Sequence, residues 1–229
     1  MLISEHFMIC YICGKELLDT DVSNEDHVPQ KGFFPTDNPP GIKKLLVHEK
    51  CNLDFSFDEQ YVISVLRGTG TWDKTGKYVW EKKGRKSITK PNRRGLRESI
   101  VRGARPAKEI VIGIPEYAED FPATQIPNER LISVMNKVVR GLYFDEFGKT
   151  VESDGYKLYP SEFCGKQEIR GWNIVGQEFF SIGTSGSEEF KYLRRFISNT
   201  LEYNLFFYNT HYFRLFYSKH ISTPVIVEI

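Results

Sequence analysis

Apolar residues recur at helical spacing most clearly between residues 128 and 142, where Leu131, Ile132, Met135, Val138, Val139 and Leu142 form one stripe. Asn128 stands where a side-chain acceptor serves the first free N–H groups, so a helix is expected to start there and bury that stripe. Ser56 followed by Glu59 has the spacing of a capping box and predicts a helix from residue 56 to residue 66, ended by Arg67 and Gly68. A basic helix is expected over 94–102, with Leu96, Ile100 and Val101 turned inward.

Short apolar runs predict strands at 8–12 and 110–114. After Gly155 the pattern changes to strands at 156–159, 172–182, 201–208 and 212–218, the last two joined as a hairpin through Asn209, Thr210 and His211. Residues 188–198 admit a helix instead. Residues 68–92 have no clear period and read mainly as loop, with short strands around Tyr78, Val79 and Trp80. Three prolines within 35–41 exclude regular structure, because they lack donors and restrict the residues before them. The sum is an α+β fold with its helices in the middle and an antiparallel sheet at the C-terminal end.

At 229 residues, 40 % hydrophobic and 27 % charged, the chain can bury a core without disulfide staples. No run approaches 18 apolar residues, so no membrane span is expected. The N-terminus has no basic leader, and a cytoplasmic protein is expected. In that compartment Cys10, Cys13, Cys51 and Cys164 are thiols or metal ligands rather than disulfides. The net charge of +1 conceals three unequal segments. Residues 1–66 hold 5 Lys/Arg against 11 Asp/Glu, residues 67–108 hold 14 against 3, and residues 109–229 hold 12 against 16. The middle segment is a solvated basic surface or a polyanion site.

Cys10-x2-Cys13 is half of a zinc site, and His48-x2-Cys51 repeats its two-residue gap. Together they supply a tetrahedral Cys3His set for structural zinc, where the alternative is two buried thiols and a surface histidine. Zinc would pin the first knuckle to the second and hold together the two ends of what lies between. That segment contains Asp26-His27-Val28-Pro29, and the second knuckle is followed at once by Asn52. Cys164 reads as a core or spare thiol.

The Cys10/Cys13 knuckle, Asp26-His27-Val28-Pro29 and His48-x2-Cys51-Asn52 in this order resemble the HNH nucleases, the ββα-metal family, in those members whose motif is embraced by two zinc knuckles. The resemblance covers about residues 8–66. It implies that His27 is the general base toward the attacking water, that Asp26 and Asn52 ligate one Mg²⁺ or Mn²⁺, and that the activity is metal-dependent hydrolysis of DNA phosphodiester bonds. An imidazole with a pKa near 6.5 and a hard carboxylate beside an amide oxygen suit those roles. Two departures stand out. Lys43 occupies the place of the Asn that usually orients the base, leaving Asp37 or Asn38 as substitutes, and His48 stands where the second knuckle usually has Cys.

The expected organisation is therefore an HNH module with zinc knuckles over 1–67, a basic nucleic-acid-contacting segment over 68–108, and an α+β body of unassigned role over 109–229. Lys82, Lys83, Arg85, Lys86, Arg93, Arg94 and Arg97 are the candidate phosphate contacts, followed by Arg102 and Arg105. Trp72, Tyr78 and Trp80 stack on bases or pack. DNA is the expected partner, with RNA and a homodimer left open; His211 and His220 read as structural. The alternative from another class is a zinc-knuckle nucleic-acid-binding or regulatory protein without turnover, supported by the missing Asn.

Overall fold

The computed structural model describes residues 8–69, 74–106, 122–124, 128–151, 155–161, 180–182, 189–197 and 200–218. The expected strand at 110–114, together with Trp72, Cys164 and His220, lies outside them.

The first structural unit is an antiparallel hairpin followed by a helix. Strand β1 (Ser23–Val28) pairs with β2 (Lys43–His48) so that Ser23 faces His48 and Val28 faces Lys43. Helix α1 (Glu49–Thr69) begins at the residue after β2. Its first turn is tied back to the hairpin entry, where the Glu49 N–H donates to the Val22 carbonyl at 2.9 Å. The helix therefore starts seven residues before the capping box predicts. Ser56 and Glu59 are interior positions, and the Glu59 side chain turns to Lys137 and Gln30 instead of the backbone. The chain leaves β2 already directed into the helix, and the acidic Glu49 at its first position complements the positive helix end.

The basic segment is largely helical: its last helix falls where a basic helix is expected over 94–102, whereas residues 74–89 are helical where loop and short strands are expected. It comprises α2 (Lys74–Val79), a π turn (Trp80–Gly84), α3 (Arg85–Thr89), a 3-10 turn (Pro91–Arg93) and α4 (Arg94–Gly103). The pieces before α4 are too short to hold together alone and are stabilised by packing on α1, so no helical period shows in the sequence of residues 74–89. Gly84 is required inside the π turn, because a Cβ there would stand 2.3 Å from the Trp80 ring. Leu96 is buried as expected, but Val101 is exposed.

Two short strands, β3 (Ala104–Pro106) and β4 (Pro122–Thr124), pair antiparallel. Helix α5 (Asn128–Phe147) buries Leu131, Met135, Val138, Val139 and Leu142 as its stripe predicts, and packs against α1 and the β1–β2 hairpin. The five-stranded antiparallel sheet runs β5 (Gly155–Ser161), β9 (His211–Ser218), β8 (Thr200–Phe207), β7 (Phe190–Ile197), β6 (Phe180–Ile182). Residues 190–197 are thus a strand and not a helix: all eight pair with β8, and that ladder overrides the local preference. Tyr208 and Asn209 turn the β8–β9 hairpin with φ of 56° and 57°. At the other end, residues 8–12 form no strand, only a bridge between Ile9 and Glu16.

One buried cluster joins these parts. Phe33, in the β1–β2 connection, stacks on Phe207 at 4.5 Å between ring centres, and the Tyr208 hydroxyl donates to the Phe33 carbonyl at 2.9 Å. The architecture is α+β, and among the described residues no helix is long and apolar enough to cross a membrane.

Candidate active site

The first knuckle is a tight turn. The Gly14 N–H donates to the Cys10 carbonyl at 2.8 Å, and Gly14 takes a φ of +74° that a side chain would strain. The second knuckle spans the end of β2 and the first turn of α1, which presents His48 and Cys51 three residues apart on one side. The Cys10, Cys13, His48 and Cys51 ligand atoms all lie within 4.8 Å of one another. Ligand atoms about 2.0–2.3 Å from a tetrahedral zinc stand about 4 Å apart, so this set is close enough to bind such an ion. His48 places Nδ1 3.4 Å from the Cys13 sulfur and Nε2 3.3 Å from Asp21 Oδ2. Asp21 is thus an outer partner that fixes the ring and directs Nδ1 at the thiols. Burial first, and then the neighbouring Cys13 and Cys10, push the Cys51 thiol up to about 12.

A second convergence lies further along the hairpin and helix. Asn24, Asp26 and Val28 alternate onto the inner face of β1, while Glu25 and His27 face the other way. Asp26 is buried, and its Oδ2 accepts from the Tyr11 hydroxyl. Across from it α1 presents Asn52 and Glu59, two turns apart. Into the space between reaches Lys137 of α5, which is 1 % exposed. Its ammonium donates to Asp26 Oδ2 at 2.9 Å, Asn52 Oδ1 at 2.8 Å and Glu59 Oε1 at 2.5 Å. Asn52 in turn donates to Asn24 at 3.2 Å, and Gln30 donates to Glu59 at 2.8 Å. Burial holds the Glu59 carboxyl above its ordinary value against the pull of Lys137.

A close approach sets this geometry. A Cβ on Gly141 would fall 2.5 Å from a Val28 methyl, so only glycine lets α5 lie this near β1. One helical turn back from Gly141 is Lys137, and two residues back from Val28 on the same strand face is Asp26. The two steps are of nearly equal length, which brings ammonium to carboxylate.

His27 is half-buried on the opposite face of β1. Burial first, then the positive charges of Lys31 and Lys44, hold its imidazole below the ordinary histidine value, so it is neutral at pH 7. Among the described residues no side chain hydrogen-bonds its ring. Lys43 pairs instead with Asp145 of α5 at 2.9 Å, and Asp37 with Lys83 at 2.7 Å. Exposed Asn38 makes no such bond either.

Of the predicted phosphate contacts, Lys82, Arg85, Lys86, Arg94 and Arg97 are exposed, and Lys83 and Arg93 half-buried. The Lys83–Asp37 pair ties the π turn to the loop that follows His27. Arg94 is engaged by Glu98 at 2.7 Å and Lys82 lies 5.6 Å over the Tyr78 ring, whereas Trp80 packs on Gly68 and Gly84. His211 is structural: its Nε2 contacts the Leu66 carbonyl at 3.0 Å, and burial pushes its pKa down to about 4.

Comparison with family models, curated proteins and solved structures gives no match for the chain. The site stands on its own geometry, which adds Asp21 and Lys137 to the residues named from sequence and turns Glu59, read there as a helix cap with a lesser metal role, toward Lys137. Lys137 carried no signal, being a lysine within an otherwise apolar stretch of an expected core helix. Glu59 was visible but explained by the capping box.

Proposed function

We propose that the protein is an HNH-type endonuclease that hydrolyses DNA phosphodiester bonds with a divalent metal ion. The observation that carries this reading is the convergence of Asp26 and Asn52 from β1 and α1, with His27 on the other face of the same strand and the Cys10, Cys13, His48, Cys51 cluster at the end of the hairpin. In this reading the cluster holds structural zinc, which fastens residues 10–13 to the start of α1 and keeps the hairpin on its helix. Asp26 and Asn52 would hold Mg²⁺ or Mn²⁺, which would supply charge stabilisation for the scissile phosphate and the leaving oxygen. The neutral His27 imidazole, exposed to solvent on its outer side, takes the proton of the attacking water. Lys82, Lys83, Arg85, Lys86, Arg93, Arg94 and Arg97 hold the phosphate backbone, which positions DNA without reading its sequence. Affinity then falls with salt, by a log–log slope of about 0.9 per neutralised phosphate.

The test is plasmid cleavage in Mg²⁺ or Mn²⁺ by wild type and His27→Ala, with zinc content and thermal midpoint measured on both. The expected result is cleavage lost by about 10²–10⁴-fold with zinc and fold retained. Equal cleavage by the two proteins removes His27 from the base role. A second reading is a nucleic-acid-binding protein without turnover. It is favoured by the absence of a hydrogen-bond partner for the His27 ring among the described residues, Lys43 being committed to Asp145. It predicts salt-dependent DNA binding and no metal-dependent products.

A further inference from the structure

We propose that Asp26, Asn52 and Glu59 form a three-oxygen cation seat in which the Lys137 ammonium and a divalent metal ion are alternative occupants, so that metal enters only as Lys137 withdraws. This deepens the reading of Asp26 and Asn52 as metal ligands, adding Glu59 as a third and Lys137 as a built-in competitor.

Three features of the seat carry the inference. The oxygens belong to three side chains from two elements, yet all lie within 2.9 Å of one nitrogen, so they already converge on a single cation position. An ammonium has three N–H donors, and all three are used here, leaving none for a phosphate. In this arrangement Lys137 occupies the seat and does not contact substrate. The third feature is charge. The buried Asp26 and the half-buried Glu59 present two carboxyl groups to a single ammonium, a pairing that a divalent ion matches better in charge. The oxygen-only donor set suits Mg²⁺ or Mn²⁺, which keep water in their remaining positions.

Lys137 also has a reason to be there when metal is absent. The Tyr11 hydroxyl and the Gln30 amide donate to Asp26 and Glu59 respectively, but both are neutral. Without an internal cation the buried Asp26 and the half-buried Glu59 would stand beside each other with no positive partner. The lysine thus keeps the ligand oxygens in place between metal-bound states, and it weakens apparent metal affinity by the fraction of time it holds the seat.

The experiment measures Mn²⁺ binding to the full-length, zinc-loaded protein by electron paramagnetic resonance of free Mn²⁺, with thermal midpoints in parallel and no nucleic acid present. Lys137→Met is expected to melt lower than wild type without Mn²⁺, to bind Mn²⁺ about tenfold more tightly, and to regain much of its midpoint when Mn²⁺ is added. Equal or weaker Mn²⁺ binding by a folded Lys137→Met overturns the competition. Glu59→Gln keeps Lys137 paired with Asp26 and covers the case in which the lysine variant does not fold. It is expected to bind Mn²⁺ more weakly than wild type, and unchanged affinity removes Glu59 from the seat. Binding results that fail while His27-dependent cleavage persists sink the seat and leave the nuclease reading standing; absent cleavage with the binding results intact does the reverse.

Discussion

The Cys/His cluster and the proposed oxygen seat sit on the same hairpin and helix, yet they are built on different terms. The Cys10, Cys13, His48, Cys51 cluster takes all its ligands from two short local motifs and lies at an edge, with Cys13 exposed. The proposed Asp26, Asn52, Glu59 seat surrounds a buried ammonium, offers hard oxygens, and is closed by a lysine from α5, 85 residues beyond Asn52. The difference separates holding from acting. A soft-donor cluster without an internal cation suits an ion that stays; a seat already supplied with its own ammonium suits one that exchanges.

Zinc removal tests that division hardest. Structural zinc contributes about 10 kcal/mol or more of folding free energy where it ties otherwise separate segments. Stripping it, or replacing Cys10 by Ser, is expected to release residues 8–22 from α1, collapse the thermal transition and abolish Mn²⁺ binding as well, since Tyr11 would leave Asp26. Removing Mn²⁺ should leave zinc content unchanged. Zinc-free protein that melts and binds Mn²⁺ like the loaded form would break the hierarchy.

Asp21 gives a finer version of the same test. It contacts Nε2 of His48 and touches no other member of the cluster, so Asp21→Ala should leave all four ligands in place. The expected cost is about 10–100-fold in zinc affinity, read by competition with a chromophoric chelator, with Mn²⁺ affinity unaltered. An unchanged zinc affinity would mean that the ring is oriented by the hairpin backbone alone.

Gly141 probes the other site through packing. Gly141→Val drives a branched side chain into Val28 and is expected to cost about 1–3 kcal/mol as α5 and β1 are forced apart. The displacement moves Lys137 away from Asp26 while leaving the zinc cluster, which α5 does not supply, intact. Retained zinc with tighter Mn²⁺ binding would match the seat as described; an unchanged thermal midpoint would deny the close contact.

The same contrast explains what could be read from the chain. The knuckles, the stripe of α5 and the β8–β9 hairpin announce themselves because local spacing alone makes them. The Asp26 and Asn52 convergence follows once the knuckles are closed. Lys137 does not, because its meaning depends on Gly141 letting one helix touch one strand, a contact between residues more than a hundred apart. The helices over 74–89 are hidden for a related reason, since α1 rather than their own periodicity holds them, whereas α4 shows in its spacing. The capping-box reading failed because a knuckle, not Ser56, starts α1.

The smallest expected effect concerns His27. Its imidazole lies below the ordinary value of 6.5 by burial and by the charges of Lys31 and Lys44, and only the neutral form accepts a proton. In the nuclease reading, cleavage should therefore rise with pH through a midpoint below 6.5. Lys44 stands directly across the ladder from His27, is exposed, and pairs with Glu25 at 3.2 Å. Lys44→Gln removes a positive charge and frees a negative one, and both changes favour the imidazolium, so the midpoint should move up. Solvent screening at an exposed pair keeps the move small, and it shrinks further as salt is raised. The zinc cluster lies at the far end of β2 and should show no change in metal content. A midpoint that moves down, or a profile without an ascending limb near His27's range, would take the proton transfer away from this residue even if the metal seat and the zinc cluster both behaved as expected.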